Sequence, residues 1–292
     1  MPDIRFGVNI RAVPSRQGFE RLVRRADELG YDVLAAPDHL GAPSPFAALA
    51  AAGLVSGRLR LRTYVLNVGF WNPALLAREV ATLDALSEGR VDLGLGAGHM
   101  RGEHDDAGLP WRPFPQRVEL LEQTILDVRR RLAGEGLEPR PVQRPVPVLV
   151  GAMSHEGLAV AARHADIVGF SGLRQQEGAP AGTFTLCSGA ETVQRVGEVR
   201  REAGGRRYRS DVLLQRVQIA RDPEQAAAEI AGGAPGVTVD QILDTPFVLL
   251  APDADHAAEE LSRRRARYGF DSVTTHEPNM EALGQVMAAY RS

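Results

Sequence analysis

Apolar positions along this chain recur with two periods, and the periods take turns. Residues 4–10 (IRFGVNI) alternate with period two and predict a strand. From about Gln17 the period changes to 3.6, with Phe19, Leu22, Val23, Ala26 and Leu29 on one helical face and Gly30 at its end. Residues 33–36 predict a short buried strand, and Ser44-Pro45 opens the next helix. The strongest signal covers residues 59–98. There LRLRTYVLN reads as a strand, Asn72 and Pro73 as a helix cap and first turn, and Leu76, Val80 and Leu83 as a buried stripe. Ser87-Glu88-Gly89 stops that helix and VDLGLG is the following strand, which makes a parallel βαβ crossover.

The alternation continues to the C-terminal end. Residues 97–114 form a long, charged, Gly/Pro-punctuated loop, a type that is usually functional or mobile. A helix follows with Val118, Leu121, Ile125, Val128 and Leu132 inward, and a Pro-rich connector leads to VPVLVGA (146–152). Ser154 caps another helix, and residues 166–172 (DIVGFSG) predict strand six. Ser188 and Glu191 have capping-box spacing. Residues 211–219 alternate as strand seven, and residues 232–252 read as an excursion holding a short helix and TPFVLLA. Residues 272–275 predict strand eight, and Leu283, Val286, Met287 and Tyr290 the buried face of a last helix. Eight βα units without a composition break in 292 residues predict one domain over 1–292. Its fold class is α/β, a (β/α)8 TIM barrel with loop insertions at the strand C-terminal face. A doubly wound sheet would use fewer units or a second domain.

Composition narrows the functional classes. The net charge of −3 favours neither nucleic acid nor an anionic membrane, and no apolar run reaches the ~18–20 residues of a membrane span. The N-terminal residues lack a signal pattern and Cys187 is the single cysteine, which together point to the cytoplasm. All 34 basic residues are arginine. Without lysine there is no Schiff-base chemistry and no P-loop nucleotide site.

In such a barrel the active site lies at the C-terminal strand ends. That rule selects Asn9, Asp38-His39, Asn67-Val68-Gly69, residues 96–99, residues 151–154, residues 170–172, the region of Gln218, and His276-Glu277. Asp38 and His39 are the candidate catalytic pair, since a histidine moves protons and a carboxylate can fix its tautomer. A turn histidine beside an Asp cap is the alternative. Gly96-Ala97-Gly98 is a candidate cofactor loop, or a plain tight turn; its spacing is not a full dinucleotide fingerprint. Gly151-Ala152-Met153-Ser154 precedes a helix N-terminus and is a candidate anion site, or an ordinary βα loop. His99, Glu103, His104, Asp105 and Asp106 fit no compact ligand spacing and read as a charged lid, so no metal is expected. The arginines at 200, 201, 206, 207 and 209 read as a solvated helix end. Cys187 is isolated, and no G-x-S-x-G elbow is present.

Several of these stretches together resemble the bacterial luciferase-like superfamily of flavin and deazaflavin oxidoreductases. They are PDH at 37–39, the run NPALLAREVATLDALSEGRVDLGLGAG at 72–98, and the Glu103…Gly108…Pro110…Arg117…Leu121-Glu122 series. To these add VLVGA…LAVAARHADIVGF at 148–170 and TPFVLLA…ADHAAEEL. The PDH element is similar to that of the deazaflavin-dependent branch. The resemblance implies a redox ring across the strand ends, supported by a bulge in strand three, often with a non-prolyl cis peptide. Tyr64, Val65 and Asn67 would support the ring. Gly96, Gly98 and His99 would contact it or its side chain, and Gly151, Ala152 and Met153 would hold its phosphate. The implied function is hydride transfer between the deazaflavin coenzyme F420 and a small organic substrate, with His39 donating a proton and the 97–114 loop excluding water. Phe70, Trp71, Trp111 and Phe114 would wall the substrate. An FMN-dependent monooxygenase is the first alternative; a metal-dependent barrel hydrolase and a non-catalytic member are others. A homodimer is the implied assembly. Relatives acting on sugar phosphates carry Glu at the position of His99 and Trp shortly after the histidine, where this chain has Gly41, Ala42 and Pro43. That speaks against a sugar-phosphate substrate.

Overall fold

The computed structural model describes residues 4–152, 154–176, 178, 183–233 and 237–292. Eight parallel strands close into a barrel: β1 (Arg5–Asn9), β2 (Val33–Ala36), β3 (Arg60–Thr63, continued by Leu66–Asn67), β4 (Val91–Gly96), β5 (Val148–Ala152), β6 (Ile167–Phe170), β7 (Arg209–Leu214) and β8 (Ser272–His276). The ring follows chain order and closes where β8 pairs with β1. Helices cover the outside. Helix Pro73–Leu86 starts where Asn72 accepts from the backbone N–H groups of Ala74 and Leu75, and it buries Leu76, Val80 and Leu83. It ends in a turn that needs positive φ, met by Glu88 (55°) and Gly89 (82°). Helix Gly189–Glu202 opens with the expected capping box of Ser188 and Glu191.

The barrel axis carries charge. Arg62, 1% exposed, reaches Asp92 on β4 at 3.1 Å and Asp211 on β7 at 3.1 Å. Asp211 also accepts from Tyr64 Oη at 2.6 Å, from Thr274 Oγ1 at 2.9 Å and from Ser272. These bonds satisfy a charge that would be costly alone, and they tie β3, β4, β7 and β8 across the interior.

Three elements differ from the sequence-based expectation. The alternating run 211–219 does not stay in one sheet: it breaks at Gln215, and Arg216–Ile219 pairs outside the barrel with Val248–Ala251. The loop after β4 contains a helix, Arg101–Asp106. After β6, Leu173–Gln175 and Phe184–Leu186 form an antiparallel pair over the strand ends. No helix among the described residues is long and apolar enough to cross a membrane.

Candidate active site

The site begins with a shift of register. Arg62 pairs with Asp92, and Leu66 pairs with Leu95, so four steps along β3 match three along β4. The extra residue is a bulge at Tyr64–Val65, and the peptide bond between them is cis, inside the stretch where the resemblance places one. Thr63 Oγ1 stands in for the interrupted ladder, donating to the Gly94 carbonyl at 2.9 Å and accepting from the Gly94 N–H at 2.8 Å. The bulge turns Val65 into the barrel. A Cβ on Gly96 would lie 2.7 Å from Val65 Cγ2, and one on Gly151 3.1 Å from Val65 Cγ1. Glycine at both positions is therefore explained by Val65, which floors the mouth over β4 and β5. Tyr64 points the other way, down the axis to Asp211. Burial and then the nearby Asp211 carboxylate raise its pKa well above the usual phenol value, so it stays protonated and donates.

The two candidate catalytic residues at the end of β2 part company. Asp38 does not touch its neighbour's imidazole. Its Oδ2 accepts from the Asn67 backbone N–H at 3.1 Å and from Trp71 Nε1 at 2.9 Å. Burial raises its pKa despite those two donors. The carboxylate that orients His39 is Glu103, from the short helix after β4: His39 Nδ1 lies 2.9 Å from Glu103 Oε1 and 3.2 Å from Oε2. A carboxylate only accepts, so Nδ1 carries the proton and Nε2 is the atom left for chemistry. His99 stacks edge-on against His39 with centroids 5.6 Å apart, and Phe184 does the same to His99 at 5.6 Å. Burial, and then His39, lower the pKa of His99, which favours its neutral form.

The loop after β4, of a type that is functional or mobile, is anchored at two points. His104, 2% exposed, meets Asn67 Nδ2 through Nε2 at 2.9 Å and lies against Phe70 and Trp111. Arg117 sits 4.0 Å over the Trp111 ring and donates to the Gly98 carbonyl. Gly98 has φ 75° and packs on the Asn67 amide, where no side chain fits. The aromatics expected to wall the substrate thus pack on His104, Arg117 and, for Trp71, on Phe46 and Asp38. Glu103, His104 and Asp105 take separate partners (His39, Asn67 and Arg101), and no metal-ligand cluster occurs among the described residues.

Gly151 and Ala152 end β5, and Met153 lies outside the described residues. Helix His155–His164 begins immediately beyond, with Ser154 Oγ accepting from the Gly157 N–H at 3.1 Å. Gly157 lets that helix end approach Ala152: a Cβ there would lie 3.1 Å from Ala152 Cβ. The sequence placed Asp38, His39, Val65, Asn67, Gly96, Gly98, His99, Gly151 and Ala152 at one mouth, and they are there. Tyr64 lies beneath it. The sequence shows Glu103 as a lid charge and Arg117 as a family mark; Glu103 pairs with His39 far along the chain, and Arg117 joins nearby Trp111 to the more distant Gly98 carbonyl, so no single local pattern reveals either role.

A parallel (β/α)8 barrel with an oriented histidine at its mouth, beside a glycine-lined floor, is the frame of a barrel enzyme. The chain belongs to the luciferase-like monooxygenase family, whose model matches residues 4–288. It is 35% identical over 153 residues to an F420-dependent glucose-6-phosphate dehydrogenase of Intrasporangium calvum, covering 44% of this chain and 46% of that one. It is 30% identical over 222 residues to the protein of that name from Segniliparus rotundus, covering 68% and 63%. The chain thus spans less than two thirds of the length of these curated relatives. Its fold is similar to that of an F420-dependent secondary alcohol dehydrogenase solved with an F420-acetone adduct, at TM-score 0.78, 17% identity, and 99% and 100% coverage.

Proposed function

We propose that this protein is an oxidoreductase that transfers a hydride between coenzyme F420 and a small organic substrate, with His39 as its proton-transfer residue. One observation carries the reading: the His39–Glu103 pair stands beside a floor of Val65, Gly96 and Gly151 that presents no side chain from two adjacent strand ends. Such a floor fits a planar, largely apolar ring, which in this reading would also touch Asn67, Gly98 and His99. The loop of Gly151, Ala152 and Met153 before helix His155–His164 fits the phosphate of its side chain. Relatives whose names specify F420 support the choice of cofactor. When bound, the deazaflavin supplies a ring carbon that gives or takes a hydride.

The chain's own residues then divide the work. Glu103 holds the proton on His39 Nδ1 and stabilises the imidazolium, so Nε2 gives or takes the substrate proton. Asp38 fixes the end of β3 through Asn67 and Trp71. Arg117 and His104 hold the β4 loop over the mouth, where it excludes water. The same reading takes the protein as a cytoplasmic homodimer, in keeping with its single, buried thiol, Cys187. A single-turnover assay tests the reading. Protein loaded with oxidised F420 is mixed with a panel of alcohols, and protein loaded with reduced F420 with the matching ketones, while the F420 absorbance is followed. Wild-type protein is expected to turn over at least one pair, and His39→Asn to bind F420 yet lose at least about a hundredfold in rate. Turnover with FMN and oxygen instead of F420 would replace this reading with the monooxygenase one.

A further inference from the structure

The other half of the mouth, built from β1, β6, β7 and β8, is polar and incomplete. Thr274 and Asp211 meet in the interior at 2.9 Å. Side chains alternate along a strand, so His276, two residues beyond Thr274, also faces inward. Asn9 is its direct register partner on β1. Ser171 lies two residues beyond Gly169, whose missing Cβ would sit 3.5 Å from Gly151 Cα. Gln215 continues the inward series of β7. Asn9 is 3% exposed, yet its Oδ1 has no hydrogen-bond partner among the described residues. The same holds for Ser171 Oγ and His276 Nδ1. Unpaired buried polar atoms are rare in native proteins, and three around one opening call for a common explanation.

The network also assigns their polarity. Gln215 Nε2 donates to the Ser171 carbonyl at 2.9 Å, which leaves Gln215 Oε1 facing His276 Nε2 at 3.3 Å. An oxygen there requires the histidine proton on Nε2. Burial, and then the charge of Arg11, bring the His276 pKa down to about 4, so at neutral pH Nδ1 offers a lone pair. Nδ1 and Asn9 Oδ1 are therefore two acceptors with nothing to accept, and Ser171 Oγ can take either role.

We propose that Asn9, Ser171 and His276 form a subsite for a substrate hydroxyl other than the one whose proton His39 takes, with His276 Nδ1 accepting its O–H. This assignment rests on the mouth being the substrate site of the oxidoreductase read above. It makes hydroxyl-bearing molecules the ligand class and disfavours carbonyl groups, which bring no proton.

Nitrogen-15 NMR of histidine-labelled, F420-loaded protein tests it, with aliphatic alcohols from ethanol to cyclohexanol each paired with its aldehyde or ketone. The ligand-free spectrum should show His276 neutral with its proton on Nε2. At least one alcohol should then shift the Nδ1 resonance saturably and bind about tenfold tighter than its carbonyl partner. His276→Phe should erase that preference with F420 affinity unchanged. Ser171→Ala, a smaller change, should weaken alcohol binding about threefold in a fully folded protein. A proton on Nδ1, no response to any alcohol, or equal binding of alcohols and carbonyls overturns the subsite. If F420 fails to bind, the function falls, and the same titration of unloaded protein still decides the subsite.

Discussion

Asp38, after β2, holds both the Asn67 N–H and the Trp71 indole with its carboxylate, whereas Asn9, at the end of the neighbouring strand β1, has an Oδ1 that holds nothing among the described residues. The contrast extends over both halves. On the β2–β5 side, Asp38, Asn67, Glu103, His104 and Arg117 are all engaged with protein partners. On the β1 and β6–β8 side, Asn9, Ser171 and His276 each keep an unused polar atom. A saturated network is set before any ligand arrives, so it suits a cofactor platform that must not move. An unsaturated one is completed by what binds it, so it suits discrimination among substrates.

Breaking the support under both halves should have the largest effect. Arg62→Ala leaves Asp92 and Asp211 buried without their cation, and should cost about 3–5 kcal/mol in urea unfolding. The polar half should then show itself through pH. The His276 pKa is about 4 when folded, below the ~6.5 of an exposed histidine. Between those values the unfolded chain binds the proton and the folded one does not. Stability from this group is thus intact above about pH 6.5 and falls as the pH drops toward 4, by up to about 3 kcal/mol. Unfolding curves at pH 7 and 5 should converge once His276 is replaced by Phe.

The platform half should respond in its own ways. Glu103→Gln frees the His39 tautomer, and should lower kcat about ten- to a hundredfold with little change in KM. An unchanged KM and an unchanged urea midpoint alongside the lower kcat would mark lost orientation of His39, whereas a structural loss would move all three. Gly96→Ala meets Val65 and should cost about 1–3 kcal/mol together with F420 affinity. Adding Val65→Ala should restore part of the stability, which separates a packing clash from a lost ligand contact.

Much of this was legible in the chain, and the remainder has a physical reason for being hidden. The period of the apolar residues gave the eight βα units, and the barrel rule then placed His39, Asn67, Gly96 and Gly151 at one mouth. Gly96 and Gly151 looked like room for a ligand. What fills their Cβ positions is Val65, brought there by a register shift between β3 and β4 that neither strand reveals alone. Glu103 sits on a six-residue helix with no side-chain cap, too short to show a period. The run 211–219 alternates straight through Gln215, so the pattern could not show that its second half pairs with Val248–Ala251. For Asp38, adjacency in sequence suggests His39 as partner, but neighbouring residues on a strand end point apart, and its carboxylate takes Asn67 and Trp71 instead.

The central claim is that the saturated half holds a deazaflavin. Equilibrium fluorescence titration of the purified protein with F420 and, separately, with FMN addresses it directly. The account predicts saturable F420 binding well below ~100 μM, weakened by Gly96→Ala, and no comparable binding of FMN. Tight FMN binding without F420 binding would contradict it.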